Sequence, residues 1–189
     1  IFTLDCDNLS TKRGCYFCHT GVYFEEYFNK EISMNELNHG FRLEESQENM
    51  ETSSTVHLYR HEKSGAPLLF LQNDDPNKTF GIGFRTPPED STGVAHIVEH
   101  CVLSGSDKFR TKEPFMDLVK TSMQTFLNAM TFSDMTIYPV SSKNNKDFYN
   151  LTDVYMDAVF HPLMRENPFV FYQEGWHHEL LNPEDDIIY

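Results

Sequence analysis

The run His96-Ile97-Val98-Glu99-His100, between Gly93 and Gly105, constrains the chain more than any other feature. Val94, Ala95, Ile97, Val98, Val102 and Leu103 surround it with apolar residues. Ser91 or Thr92 offers an N-cap and Gly105 a C-terminal stop, so the spacing predicts a helix. On a helix, positions three and four apart share a face, so His96, Glu99 and His100 point the same way. Set among apolar residues, the trio would be costly to bury unless something satisfies it, and a metal would do so.

Two neutral imidazoles on one face can reach one zinc at roughly 2.0–2.1 Å. A hydrolytic zinc keeps a position for water, whose pKa falls to about 7, and needs a carboxylate nearby to move the proton. Glu99 is placed for that role. The order His-x-x-Glu-His is the inverse of the commoner zincin motif. A five-residue match is a hypothesis that its surroundings must support.

The 189 residues, 39% hydrophobic and 14% aromatic, suffice for one domain, or a large part of one, with a sizeable core. A net charge of −14 argues against nucleic acid and anionic membrane surfaces as partners, while neutral or basic peptides would be steered favourably. No apolar run approaches the ~20 residues of a membrane span. The chain opens at Ile1 without an initiator Met, which leaves its compartment unread.

Cys6, Cys15 and Cys18 cluster near the start, and Cys15-Tyr16-Phe17-Cys18-His19 matches a c-type haem attachment pattern. Without a second pair or an axial-ligand context, a haem, zinc or redox role there is a minor reading. Cys101 is turned about 100° from His100 on the helix and reads as a small buried hydrophobe. His57, His61, His161, His177 and His178 have no ligand pair with a supporting carboxylate and read as surface or hydrogen-bonded histidines.

Residues 1–54 read as an extension with one short helix and an acidic connector through Glu44–Glu51, and residues 55–189 as the domain proper. Val56–Arg60 and Pro67–Leu71 form a hairpin around Lys63-Ser64-Gly65, and Thr79–Arg85 is a third strand. A helix is expected from Pro114 to about Phe126, strands over 128–132 and 135–140, a helix through 148–159 ended by His161-Pro162, and another over 168–181. The balance is α+β, a mixed β-sheet packed with helices.

The stretches FRTPPEDSTGVAHIVEHCVLSGSDKF, KEPF, TFLNAMTFSDMTIYPV, KDFYNLTDVYMDAVFHP and QEGWHHEL, in uninterrupted order over about Val56–Tyr189, resemble the pitrilysin (insulinase-like) metallopeptidases, in their presequence-protease and falcilysin branch. Residues 1–54 show no such resemblance. It implies a pitrilysin- or processing-peptidase-like domain within a much longer enzyme, whose two halves close like a clamshell around short unfolded peptides. This chain would be the front of the first half, and the remainder of the polypeptide its partner.

The resemblance further implies that His96 and His100 are zinc ligands and that Glu99 is the general base. A glutamate in an Asn-Glu-Met segment past Tyr189 would complete the site, with Glu174 a minor candidate for that place and otherwise a support for a ligand imidazole. It also implies that peptides add as a strand to a sheet edge where Asn128 and Ala129 lie, an arrangement that tolerates many sequences. The expectation is a zinc oligopeptidase segment, inactive and weakly zinc-binding when isolated, with a non-catalytic scaffold or processing partner as the alternative. A mitochondrion or other organelle is suggested by the resemblance alone.

Overall fold

The computed structural model describes residues 39–111 and 113–178, and the backbone of 2–4. The Cys15–His19 pattern and the end of the helix expected over 168–181 lie outside the described residues. What is described falls into two compact units, one built on residues up to Asp74 with Gly83–Arg85, the other on Asp75–Ile82 with Thr86 onward.

The first unit is an antiparallel meander. Strands β1 (Phe2–Leu4), β2 (Phe41–Asn49), β3 (Ser54–His61) and β4 (Pro67–Gln72) lie in the order β2-β3-β4-β1. The expected hairpin is β3 and β4, with Tyr59 opposite Leu68 and His57 opposite Phe70. The acidic stretch read as a connector is strand β2 instead, pairing with β3 from Phe41↔His61 to Asn49↔Ser54. Its residues are nearly all exposed, so no apolar alternation marks it. It is a strand because β3 supplies a backbone partner and because Asn49 Oδ1, accepting from the amides of Glu51 (3.0 Å) and Thr52 (3.2 Å), turns the chain back. His57 and His61 are buried, their Nδ1 atoms hydrogen-bonded to the hydroxyls of Ser46 (3.0 Å) and Ser64 (2.7 Å).

The second unit holds most of β5 (Lys78–Arg85), helices α1 (Val94–Val102) and α2 (Pro114–Thr121), strands β6 (Gln124–Leu127), β7 (Met130–Thr131) and β8 (Met135–Ser142), helix α3 (Asn145–Phe160), a 3-10 turn (Leu163–Arg165) and helix α4 (Pro168–Glu174). Strand β8 lies between β5 and β6, and β7 pairs with its first half. Helix α2 is shorter than expected. Ser122 leaves it in extended conformation, and Phe126, read as helical, lies on β6 opposite Ser141. Backbone pairing with β8 overrides the local helical preference there. Of the strand expected over 128–132, only Met130 and Thr131 pair. Helix α4 stops at Glu174, where Gly175 turns into extended backbone (φ −76°, ψ 160°) while its amide still donates to the Phe171 carbonyl at 2.7 Å, leaving Trp176, His177 and His178 beyond it.

Helix α3 covers the sheet. Leu151, Val154, Tyr155 and Ala158, at helical spacing, are buried against β8, whose Tyr138 and Val140 are themselves 3% and 0% exposed. Burying each larger side chain contributes about 1.5–3 kcal/mol. Asn144 caps the helix by accepting from the Asp147 amide at 3.1 Å, and Asp147 Oδ1 accepts from the Met123 amide, fixing the entry to β6. No described helix is long and apolar enough to cross a membrane.

Candidate active site

Helix α1 opens on Gly93 rather than on a side-chain cap. Gly93 takes the left-handed conformation (φ 74°), and its carbonyl accepts from the amides of His96 and Ile97 at 3.1 Å each. Thr92, one of the two expected caps, instead pairs with Asp90, whose carboxyl that hydroxyl holds below the usual range. The helix ends at Leu103, two residues short of Gly105.

The three motif residues do share a face, yet they differ in burial. Glu99 is 7% exposed, whereas His96 and His100 are open to solvent. The expectation of a buried trio is therefore corrected: one carboxylate is buried, and the imidazoles stand at the mouth of the site. The apolar surround is also partial, since Val94 is 60% exposed while Cys101 is 2% exposed. Cys101 is a free thiol, pushed above its ordinary pKa by burial and by the charge of Glu174, and so is the inert small hydrophobe expected.

The two imidazole rings lie 4.9 Å apart, edge to face. Glu99 Oε2 accepts from the Thr131 hydroxyl at 2.5 Å, across 32 residues of sequence. A buried carboxylate needs such a donor. Its negative charge adds to burial in pushing the phenols of Tyr138 and Tyr155 well above their ordinary range.

Glu174, at the end of α4, comes to the same place. Its Oε2 is 3.5 Å from His100 Nδ1, while Oε1 accepts from Gln173 Nε2 (2.9 Å) and the Ser104 hydroxyl (3.3 Å). Ser104 also donates to the His100 carbonyl at 3.0 Å. An open cleft of about 720 Å³ is lined by His96, Glu99 and His100 together with Asn128, Ala129, Thr131 and Glu174. Asn128 is held by its amide donating to the Pro139 carbonyl (3.3 Å) and by its carbonyl accepting from Tyr155 Oη (3.2 Å).

Every sequence-selected site residue thus lines one cleft. Thr131 and Ser104 were missed, because a hydroxyl carries no motif and its relevance depends on strand and helix placement. In donor chemistry the pair of imidazoles fits zinc, but among the described residues no group of three His, Cys, Asp or Glu side chains is arranged to hold a metal. The site as described offers two imidazoles, where catalytic zinc ordinarily has three protein ligands.

Residues 79–171, which include α1 and all the strands of the cleft, match the family model described as Insulinase (Peptidase family M16). The chain belongs to the insulinase-like peptidase family. It is 55% identical over 139 residues to Presequence protease 1, chloroplastic/mitochondrial, of Arabidopsis thaliana, and 47% identical over 147 residues to Presequence protease, mitochondrial, of Mus musculus, covering 74% and 78% of this chain. Protein HypA of Clostridium perfringens is 52% identical over 155 residues, 82% of the chain, a match that extends upstream of residue 54. The chain spans only 13%, 14% and 16% of the length of these relatives. A crystal structure of pitrilysin shares the fold, with a TM-score of 0.56 at 19% identity over 71% of this chain and 15% of its own.

Proposed function

We propose that this insulinase-family segment, residues 55–189 above all, carries the zinc-binding face of a metalloendopeptidase that hydrolyses short, unstructured peptides. The single observation that carries the reading is the cleft itself: two exposed imidazoles on one helical face, a buried carboxylate between them in sequence, and an adjacent sheet edge.

His96 and His100 would hold the metal, with a further ligand from elsewhere in a longer polypeptide. Bound zinc would polarise a peptide carbonyl and bring the pKa of a water to about 7. Glu99 takes the proton of the water whose oxygen attacks the scissile carbonyl carbon. It delivers that proton to the amide nitrogen as the carbon–nitrogen bond breaks, so water is consumed and one carboxylate and one amine appear. Glu174 orients His100, in the manner of the carboxylates that steer ligating imidazoles elsewhere.

The substrate backbone docks beside Asn128 and Ala129. Strand β6 ends the sheet order among the described residues, and an extended peptide adding there would be held through its backbone, a mode that tolerates many side chains. The bulk of the clamshell is the remainder of the polypeptide. The working compartment is an organelle, a mitochondrion or plastid, a reading supported by the names of the relatives from Arabidopsis thaliana and Mus musculus.

In the native full-length polypeptide, Glu99→Gln keeps its zinc by elemental analysis and loses peptidase activity by at least the 10²–10⁴-fold typical of general acid–base groups (roughly). Retained turnover would sink the reading.

A further inference from the structure

We propose that Thr131 is a positioning residue for Glu99, held at the end of a hydroxyl chain that runs through Thr136 to Thr86. The inference deepens the peptidase reading and rests on Glu99 being its base.

Thr131 is the one side chain among the described residues that donates a hydrogen bond to Glu99. An ionised carboxylate only accepts, so the Thr131 hydroxyl proton must lie toward Glu99 Oε2. That orientation turns the remaining lone pairs of Thr131 toward its neighbour across the strands: Thr131 and Thr136 are register partners on β7 and β8, with their hydroxyl oxygens 3.4 Å apart. The Thr136 hydroxyl is in turn 2.8 Å from that of Thr86, and Thr136 is 2% exposed. Thr86 is anchored through its amide, which donates to the Asp134 carbonyl at 2.9 Å. With Thr131 donating to Glu99, the order that satisfies all three contacts is Thr86 to Thr136 to Thr131 to Glu99.

The consequence is positional. A glutamate has three side-chain torsions and, on a short helix, would sample several rotamers. Threonine is stiff at χ1, and this one stands on a strand whose backbone is paired to the central β8. Pinning Oε2 to it leaves Oε1, which has no hydrogen-bond partner among the described residues, to receive the proton of the attacking water. Thr131 never touches the reacting atoms in this scheme. It acts through Glu99.

The test uses the native full-length polypeptide and a quenched-fluorescent peptide. Thr131→Val should lower kcat by about 10–100-fold, the usual cost of losing a group that steers a site residue, with KM within about twofold and zinc content unchanged. Thr131→Ser should recover kcat to within about threefold of wild type, which a packing role for the γ-methyl would not allow. Adding Thr131→Val to Glu99→Gln should cost nothing further in turnover, because the base that Thr131 positions is already gone. Should Thr131→Val fail to fold, Thr131→Cys, of similar size and weaker donor strength, decides: reduced kcat supports the proposal and wild-type kcat overturns it. Wild-type kcat in Thr131→Val beside an inactive Glu99→Gln overturns the positioning role alone. An active Glu99→Gln overturns the peptidase reading and this proposal with it.

Discussion

His100 Nδ1 and Glu174 Oε2 stand 3.5 Å apart, joining the helix that carries the histidine pair to the far end of the described chain. The contact engages one nitrogen of the imidazole and so favours presenting the other, Nε2, to a metal. Ser104 ties the same two residues together from the end of α1, donating to Glu174 Oε1 and to the His100 carbonyl.

Glu174→Gln should weaken zinc binding by the full-length polypeptide about 10–100-fold without removing it, as expected for a group that supports a ligand. Competition with a chromophoric chelator measures this. A complete loss of zinc would make Glu174 a ligand itself.

If peptides dock as an added strand beside Asn128 and Ala129, affinity resides in backbone amides. Methylating a peptide nitrogen that pairs with the edge should raise KM by about tenfold, since each lost hydrogen bond costs on the order of 1 kcal/mol, while methylating alternate nitrogens should have little effect. A KM indifferent to every methylation would remove the strand-addition model.

Burial raises the Cys101 thiol and the Tyr138 and Tyr155 phenols above their ordinary values of 9.0 and 10.0, with Glu174 acting further on the first and Glu99 on the other two. Each group keeps its proton longer in the folded state than in the unfolded one. The stability this represents is fully present below the ordinary values and is lost as pH rises through them toward the folded ones. Hydrogen-exchange protection of β8 and α3, corrected for intrinsic rate, should be constant near neutrality and fall above about pH 9–10. Tyr155→Phe should flatten part of that decline, while costing about 1 kcal/mol for the lost bond to the Asn128 carbonyl. Protection that rises with pH would contradict the assignment.

Local features were readable in the chain. The motif helix, the β3–β4 hairpin and the amphipathic run of α3 each follow from spacing within a few residues, and each is where the pattern puts it. What was misread depended on partners distant in sequence. Strand β2 is polar throughout and exists through its pairing with β3, and Phe126 sits on a strand because β8 offers hydrogen bonds that outweigh helical preference. Burial at the site was misjudged for the same reason: neighbours along α1 are apolar, but the elements that cover the helix, distant in sequence, bury Glu99, Cys101 and Val102 and leave His96 and His100 open.

The amino-acid sequence by itself determined that two imidazoles and a carboxylate share one helical face, because helical periodicity is a property of consecutive residues. It also carried the family, through stretches spread in order along the chain. Only the tertiary structure decided which oxygen of Glu99 is held, by a threonine on another element, and that Glu174 arrives beside His100. Hydrogen bonds act over about 3 Å, and no spacing along a chain reports which distant side chains the fold will bring that close.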